Sequence, residues 1–189
     1  SYEEKVYTKL KQHYHCAQAI FATYASDYGM DQETAYRTMA CFAAGMYRGS
    51  VCGCVTAALA VLGLAYGFSD TKDREREIFG TKIAEEFVDR FQERMEGKFN
   101  CADILENNIN TAEGMASIRR EGMIKKKCTQ AIQTSIEILE DMLWAYPDML
   151  AGKPAEPSCD EQEIEKITYL VKRAQKIQHF ESNVRDLIL

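Results

Sequence analysis

Cysteine is the residue type whose number and placement point most directly to chemistry, since the chain of 189 residues contains seven. Cys52, Cys101 and Cys159 each fall within the first turn of a predicted helix. Free backbone amides and the helix dipole favour an anion there and lower the pKa of a thiol. The thiolate attacks disulfides and binds soft metals, so these three residues are predicted reactive thiols. The alternative is that each cysteine fills a buried apolar space.

Cys52-Gly53-Cys54 adds a local pair of thiols. Two residues separated by one cannot place both sulfurs on one side of a regular helix, but a residue before the first turn is free to fold inward. As a metal motif this pair is weaker than two Cys-x-x-Cys pairs. The sequence contains no Cys-x-x-Cys-His run, which excludes covalent attachment of a c-type haem.

The three histidines, His13, His15 and His179, are too dispersed to indicate a histidine-based catalytic centre. In a continuous helix His13 and Cys16 would share a face and could ligate one metal ion, whereas His15 would point elsewhere. The alternative is that both are ordinary surface histidines. No Glu-x-x-His pair is present to indicate a di-iron bundle.

The elements that must position these residues are predicted to be helices, because apolar residues recur at steps of three and four. The pattern predicts helices over about 2–24, 31–44, 51–67, 70–95, 100–108 and 123–146, and leaves 109–122 ambiguous. Asp31 and Ser50 are the expected N-caps of the second and third helices, and Gly67 is expected to end the third in a left-handed conformation. The predicted fold is therefore all-α, a multi-helix bundle with a buried central helix at about 51–67 and an extra C-terminal helix.

The predicted domain organisation has three parts. Residues 1–150 form the cysteine-containing helical bundle, residues 151–158 a linker with two prolines, and residues 159–189 an amphipathic helix. Ser158 and Glu161 form a capping box before that last helix. Its apolar face must pack on the bundle or on a second copy of the chain, so a homodimer is a further hypothesis.

Charge and composition exclude several classes of function. The net charge of −6 disfavours a nucleic-acid partner, and the one basic run, Lys125, Lys126 and Lys127, is interpreted as a solvated face. The glycines do not form the strand, loop and helix fingerprint of nucleotide-binding sites. The uncharged stretch 51–68 is rich in small residues and is interpreted as a buried helix, not as a membrane span. An odd number of cysteines and no visible secretory segment favour a reducing, cytoplasmic location.

The segment VCGCVTAALAVLGLAYG, residues 51–67, resembles the core of a redox-active family named for four spaced cysteines and a motif taken here as Cys-Gly-Ala-x-x-Gly. A domain of split-Soret cytochromes is similar to this family. The resemblance covers about residues 14–150 and assigns its four signature cysteines to Cys16, Cys52, Cys101 and Cys128. Cys54 then stands in place of the motif alanine and Ala57 in place of its second glycine. Cys41 and Cys54 are extra thiols.

What the resemblance implies is redox or electron-transfer chemistry through the four shared cysteines. The leading hypothesis is that Cys16, Cys52, Cys101 and Cys128 converge and bind an iron–sulfur cluster or another soft metal, with Cys54 as a further candidate ligand. The second is a thiol/disulfide redox module that cycles Cys52, Cys54 or Cys101 against an unidentified redox partner. The third is a non-catalytic helical interaction protein whose cysteines pack.

Overall fold

A computed structural model of the chain describes residues 1–146, and these residues form an all-α bundle. The predicted linker and final helix, 151–158 and 159–189, lie outside the described residues. The helices of residues 1–146 are α1 (Tyr2–Lys11), α2 (Cys16–Ala25), α3 (Gln32–Met39), α4 (Gly53–Tyr66), α5 (Arg74–Arg94), α6 (Cys101–Leu105), α7 (Ala112–Arg120) and α8 (Thr129–Ala145). The predicted fold class is confirmed, and the one pairing of extended backbone in this range is an antiparallel bridge between Val51 and Asn100.

Helix α4 lies at the centre of the bundle and packs against α2, α5 and α8. Its small apolar residues let these neighbours approach it on several sides, which confirms the predicted buried central helix. The predicted N-cap is wrong, because Cys52, not Ser50, occupies that position. Gly67 ends the helix as predicted, but with an extended backbone instead of a left-handed one. A Cβ atom at Gly67 would lie 2.3 Å from the Gly63 carbonyl oxygen, so a glycine is required there for close backbone approach. Within residues 1–146 no helix has the length and apolar character needed to cross a membrane.

The first predicted helix, over 2–24, consists of two helices. Helix α1 ends in a Schellman motif in which the amide of His13 donates to the Leu10 carbonyl and the amide of Tyr14 donates to the Lys9 carbonyl. His13 takes the left-handed conformation, with φ at 70°. Cys16 then starts a new helix. The predicted helical face shared by His13 and Cys16 is therefore wrong, and both His13 and His15 are exposed.

Helices α5 and α8 pack on each other and on α4, and close one side of the core. The predicted core positions Ile83, Phe87 and Phe91 are buried on α5. Ile78, also predicted to be in the core, is 51% exposed. At the rim of the α5–α8 contact, Arg90 pairs with Asp141 at 3.0 Å, and such exposed pairs contribute little to stability.

Three other boundaries differ from the prediction. Helix α3 ends at Met39 instead of about residue 44, and Ala44 to Tyr47 follow with four consecutive left-handed residues. Helix α6 has five residues instead of nine, because Glu106 adopts a left-handed conformation at its end. The helix predicted from residue 123 begins as a wide turn, Ile124–Cys128, and becomes regular only at Thr129.

A small second core lies beneath α6 and α7. Its buried members are Cys101, Leu105, Ile118 and Met123, and Cys128 packs against both this core and the main one. The segment predicted to be ambiguous, 109–122, contains α7 and supplies Ile118 to this core. Packing against this second core therefore positions α6, and with it Cys101, at the edge of the main bundle.

Candidate functional site

Cys52 and Cys101 are held near each other by the bridge between Val51 and Asn100, because each cysteine follows one of the bridged residues. The amide of Cys52 donates to the Phe99 carbonyl at 3.1 Å, and the amide of Cys101 donates to the Ser50 carbonyl at 2.7 Å. These two hydrogen bonds fix the start of α4 against the start of α6. Residues 49 apart in sequence are thereby neighbours at the site.

Cys16 reaches the same place because α2 packs on α4. A Cβ atom built on Gly53 would lie 2.9 Å from the Sγ atom of Cys16, 3.1 Å from the Phe42 carbonyl oxygen and 3.2 Å from the Cβ of Ala17. Only a residue without a side chain lets the sulfur of Cys16 approach the first turn of α4 this closely.

Cys54 lies between two other thiols. Its side chain is hydrogen bonded to both Cys16 and Cys52, and it is 1% exposed. At the start of α4 the N-cap residue Cys52 has a non-helical backbone, with ψ at 135°. That conformation lets the two sulfurs of Cys52 and Cys54 meet, as the sequence predicts for a pair at a helix start.

Cys128 completes the group. It is half-buried at the end of the wide turn before α8, and it interacts electrostatically with Cys16 and Cys52. Cys101 interacts in the same way with Cys52, Cys128 and Cys16. The structure therefore brings together five cysteines from four separate parts of the chain, here named the cysteine cluster: Cys16, Cys52, Cys54, Cys101 and Cys128.

The remaining cysteines are placed differently. Cys41 is exposed in the short 3-10 helix Ala40–Phe42. Cys159 lies outside the described residues, so its predicted reactivity stays a prediction.

The thiol of Cys52 has a lowered pKa. The largest cause is the hydrogen bond that it accepts from the Cys54 thiol, and the backbone amides of Cys54 and Val55 act in the same direction, while burial opposes them. The two hydrogen bonds with Cys16 and Cys52, together with burial, hold the pKa of Cys54 far above its ordinary value. The direction predicted for Cys52 is confirmed. The largest cause of the lowered pKa of Cys52, however, is a neighbouring thiol and not the helix terminus. Cys52 is therefore the more acidic thiol of this pair, and Cys54 donates the hydrogen bond.

The prediction of a lowered pKa for Cys101 is wrong. Burial, followed by repulsion from Cys52, Cys128 and Cys16, raises the pKa of Cys101 well above its ordinary range. The five-residue helix α6 does not outweigh the desolvation of a thiol that is 8% exposed. Burial likewise raises the pKa of Cys128 to about 12. These two residues are held as neutral thiols.

The cysteine cluster fits a soft metal in donor type but not in arrangement. Thiolates are the ligands that zinc, copper(I) and iron–sulfur clusters prefer. Within residues 1–146, however, no group of three or more His, Cys, Asp or Glu side chains is arranged to hold one ion.

A comparison with protein families covers the residues of the cysteine cluster. The model of a family described as "Putative redox-active protein (C_GCAxxG_C_C)" matches residues 14–142, more than half of the chain. The chain belongs to this redox-active family. The printed motif reads Gly-Cys-Ala-x-x-Gly, and Gly53-Cys54 is the one Gly-Cys pair in the sequence. The motif cysteine is therefore Cys54 and not Cys52, with Val55 in place of the alanine and Ala58 in place of the second glycine.

Searches of curated proteins and of solved structures found no match. The similarity to a domain of split-Soret cytochromes therefore stays a prediction. Sequence reasoning gave Cys54 only a secondary role, although the order Gly53-Cys54 was the signal that would have placed it at the centre of the motif. The structure gives Gly53 and Cys54 linked roles, since one admits the sulfur of Cys16 and the other is hydrogen bonded to it.

Proposed function

We propose that the chain is a thiol/disulfide redox protein in which Cys54 and a neighbouring cysteine cycle between two thiols and a disulfide. The observation that carries this proposal is the hydrogen bonding of Cys54 to both Cys16 and Cys52, which brings three sulfurs within reach of one another. Membership of a redox-active family supports the general class of chemistry.

The proposed reaction begins at Cys52, the thiol with the lowered pKa. Its thiolate attacks one sulfur of a partner disulfide, a mixed disulfide forms, and the first partner thiolate leaves. The sulfur of Cys54 then attacks Cys52 and releases the second partner thiolate. Two protein thiols are oxidised to one disulfide, the partner disulfide is reduced to two thiols, and the protons lost by the protein go to the leaving thiolates.

The pKa values of the pair support this order of events. The pKa of Cys54 is raised by hydrogen bonding to Cys16 and to Cys52, by burial, and by the negative charge of Cys52. Once Cys52 is in a mixed disulfide, it carries no charge and its hydrogen bond to Cys54 weakens. The pKa of Cys54 therefore falls at the step in which Cys54 must become the nucleophile.

A count of free thiols under mild oxidation tests the proposal. We expect the chain to lose two thiols reversibly, and Cys54→Ala to abolish that paired loss. Cys41→Ala is the matched control, because Cys41 is exposed and outside the cysteine cluster, and it should leave the paired loss intact. A paired loss that persists in Cys54→Ala would reject the proposed role of Cys54.

A second candidate function is electron transfer through a soft metal or an iron–sulfur cluster held by Cys16, Cys52, Cys101 and Cys128, with Cys54 as a further candidate ligand. The observation in its favour is the raised pKa of Cys101 and Cys128, which are desolvated and face other sulfurs. A bound cation offsets this kind of repulsion by deprotonating the thiols. We place this candidate second because no group of three or more possible ligands within residues 1–146 is arranged to hold one ion.

Metal content distinguishes the two candidates. Iron, sulfide and zinc are measured on protein purified without oxygen and without a metal-chelating column, together with an absorption spectrum. Stoichiometric metal that is lost in Cys52→Ser and Cys101→Ser would favour the second candidate. Both candidates need free thiols, so a reducing compartment such as the cytoplasm is part of the proposal.

A further inference from the structure

A basic segment leads directly into the cysteine cluster. The wide turn before α8 contains Lys125, Lys126 and Lys127, here named the lysine strip, and ends at Cys128. Lys125 and Lys126 are exposed, and neither forms a salt bridge within residues 1–146. Wide turns of this kind are found frequently at functional sites. The strip therefore offers positive charge within one turn of a cluster thiol, with Glu121 in electrostatic range of Lys126 and Glu106 paired with Lys127.

The charge around the strip contrasts with that of the chain. Residues 98–128 carry six basic and four acidic side chains, whereas the whole chain has a net charge of −6. Glu106 is shared between two lysines, at 2.7 Å from Lys98 and 3.4 Å from Lys127. One carboxylate thus opposes two ammonium groups at this end of the molecule, and the local excess of charge is positive.

The burial of the thiols limits what can reach them. Cys52 is 5% exposed and Cys54 is 1% exposed, while Cys16 and Cys128 are half-buried. A disulfide held on the surface of a folded protein is too bulky to reach a sulfur that is 5% exposed without a large rearrangement of the chain, whereas a small disulfide needs far less room. The site therefore favours a small molecule as the partner in exchange.

We propose that the exchange partner is a small anionic disulfide, whose carboxylates are attracted by Lys125 and Lys126 as its sulfur approaches the cysteine cluster. This inference rests on the proposed thiol/disulfide function and names the substrate class. The reaction is the balanced exchange given above: the small disulfide is reduced to two thiols while two protein thiols are oxidised to a disulfide. Charges lining a cleft raise the association rate of oppositely charged substrates, and salt removes this effect.

Two aryl disulfides serve as probes. One is bis(carboxynitrophenyl) disulfide, a dianion, and the other is dithiodipyridine, which is neutral. Each is mixed with the reduced full chain in a background that carries Cys41→Ser and Cys159→Ser, so that thiols outside the cluster do not contribute. The test variant is Lys125→Glu with Lys126→Glu. The second-order rate is followed by the absorbance of the released aryl thiol.

The control is Lys72→Glu with Lys82→Glu, which changes the net charge by the same amount. Lys82 follows Gly80, whose Cβ position lies 3.7 Å from the Tyr66 carbonyl oxygen, at the end of α4 opposite to Cys52, and Lys72 lies in the connection between α4 and α5. The 14 residues of α4 span about 21 Å at 1.5 Å per residue, about two Debye lengths at ordinary salt. These two lysines are therefore screened from the cluster.

The lysine-strip variant should react with the dianion about tenfold more slowly at about 0.1 M salt, where the control lysines are screened, and with the neutral probe at an unchanged rate. The difference should vanish near 1 M salt, where the Debye length is about 3 Å. Equal effects on both probes, no effect on either, or the same slowing in the control would overturn the proposed substrate class. If neither probe converts cluster thiols of the unsubstituted background to an internal disulfide, the thiol/disulfide function itself fails.

Discussion

Replacement of Gly53 by alanine tests whether the close approach of Cys16 to α4 organises the site. The added Cβ would lie 2.9 Å from the Cys16 Sγ atom and 3.1 Å from the Phe42 carbonyl oxygen. Both distances are shorter than van der Waals contact, and the oxygen belongs to backbone that is not free to turn away. We therefore expect Cys16 and the start of α4 to be pushed apart.

The expected cost is the balance of two effects. Overpacking a well-packed site costs about 1–3 kcal/mol. Alanine in place of glycine gains at most about 1 kcal/mol in a helix interior, and less in the first turn, where Gly53 lies. The net destabilisation should be about 1–2 kcal/mol, which corresponds to a fall in melting temperature of about 2–8 °C for a chain of this size.

Gly63→Ala is the matched control, because Gly63 lies in the same helix and no atom lies within 4 Å of its Cβ position. Only the helix-propensity effect applies there, so this variant should be more stable by about 0.5–1 kcal/mol. The free energy of unfolding of both variants is measured by urea denaturation of the reduced protein. The paired loss of thiols under mild oxidation is measured on the same samples, and Gly53→Ala should weaken it while Gly63→Ala should not.

A Gly53→Ala variant as stable as Gly63→Ala would contradict this prediction, because the contact of Cys16 with α4 would then be loose enough to accommodate a methyl group. A Gly53→Ala variant that is destabilised but loses its two thiols as readily as the unsubstituted chain would contradict it too. In that case the position of Cys16 would matter to folding and not to the chemistry.

Three further predictions concern single contacts. Tyr66→Phe removes the buried hydrogen bond that the hydroxyl donates to the Met142 carbonyl at 2.8 Å, and should lower the free energy of unfolding by about 1 kcal/mol; an unchanged urea midpoint would contradict this. Cys54→Ala removes the largest cause of the lowered pKa of Cys52, so the midpoint of the pH profile for alkylation of Cys52 should move upward, and a midpoint that stays or falls would show that another group sets this pKa. Asp31→Ala removes the N-cap hydrogen bond of α3 and should cost about 1 kcal/mol in the same denaturation assay; a change near zero would mean that water replaces the cap.

The helical class could be predicted because apolar periodicity is a local signal. The faces of α5 and α8 follow from steps of three and four residues, and the core positions Phe87 and Phe91 are buried as predicted. The residues at which helices end were less predictable. His13, Ala44 and Glu106 adopt left-handed conformations, which are uncommon for residues other than glycine, so their side chains gave no sign of a helix end.

The residues of the site could be predicted better than the direction of their pKa shifts. The family resemblance named Cys16, Cys52, Cys101 and Cys128, and the structure places them together with Cys54. Placement in a first helical turn correctly predicted the direction of the pKa shift of Cys52 and failed for Cys101. Both thiols are buried, so the difference is the hydrogen bond from the Cys54 thiol, which acts on Cys52 and not on Cys101. That contact depends on the backbone conformation at the start of α4, which periodicity does not report.

A redox titration with mapping of disulfides tests whether Cys54 forms the redox-active disulfide. The reduced chain is equilibrated across a series of thiol/disulfide buffers, quenched by alkylation, and its cysteine-containing peptides are identified by mass spectrometry. We predict one two-electron transition in which Cys54 becomes linked to Cys52 or to Cys16, while Cys101 and Cys128 stay reduced. A chain whose cluster cysteines all remain thiols across the series, or whose disulfide omits Cys54, would contradict the account.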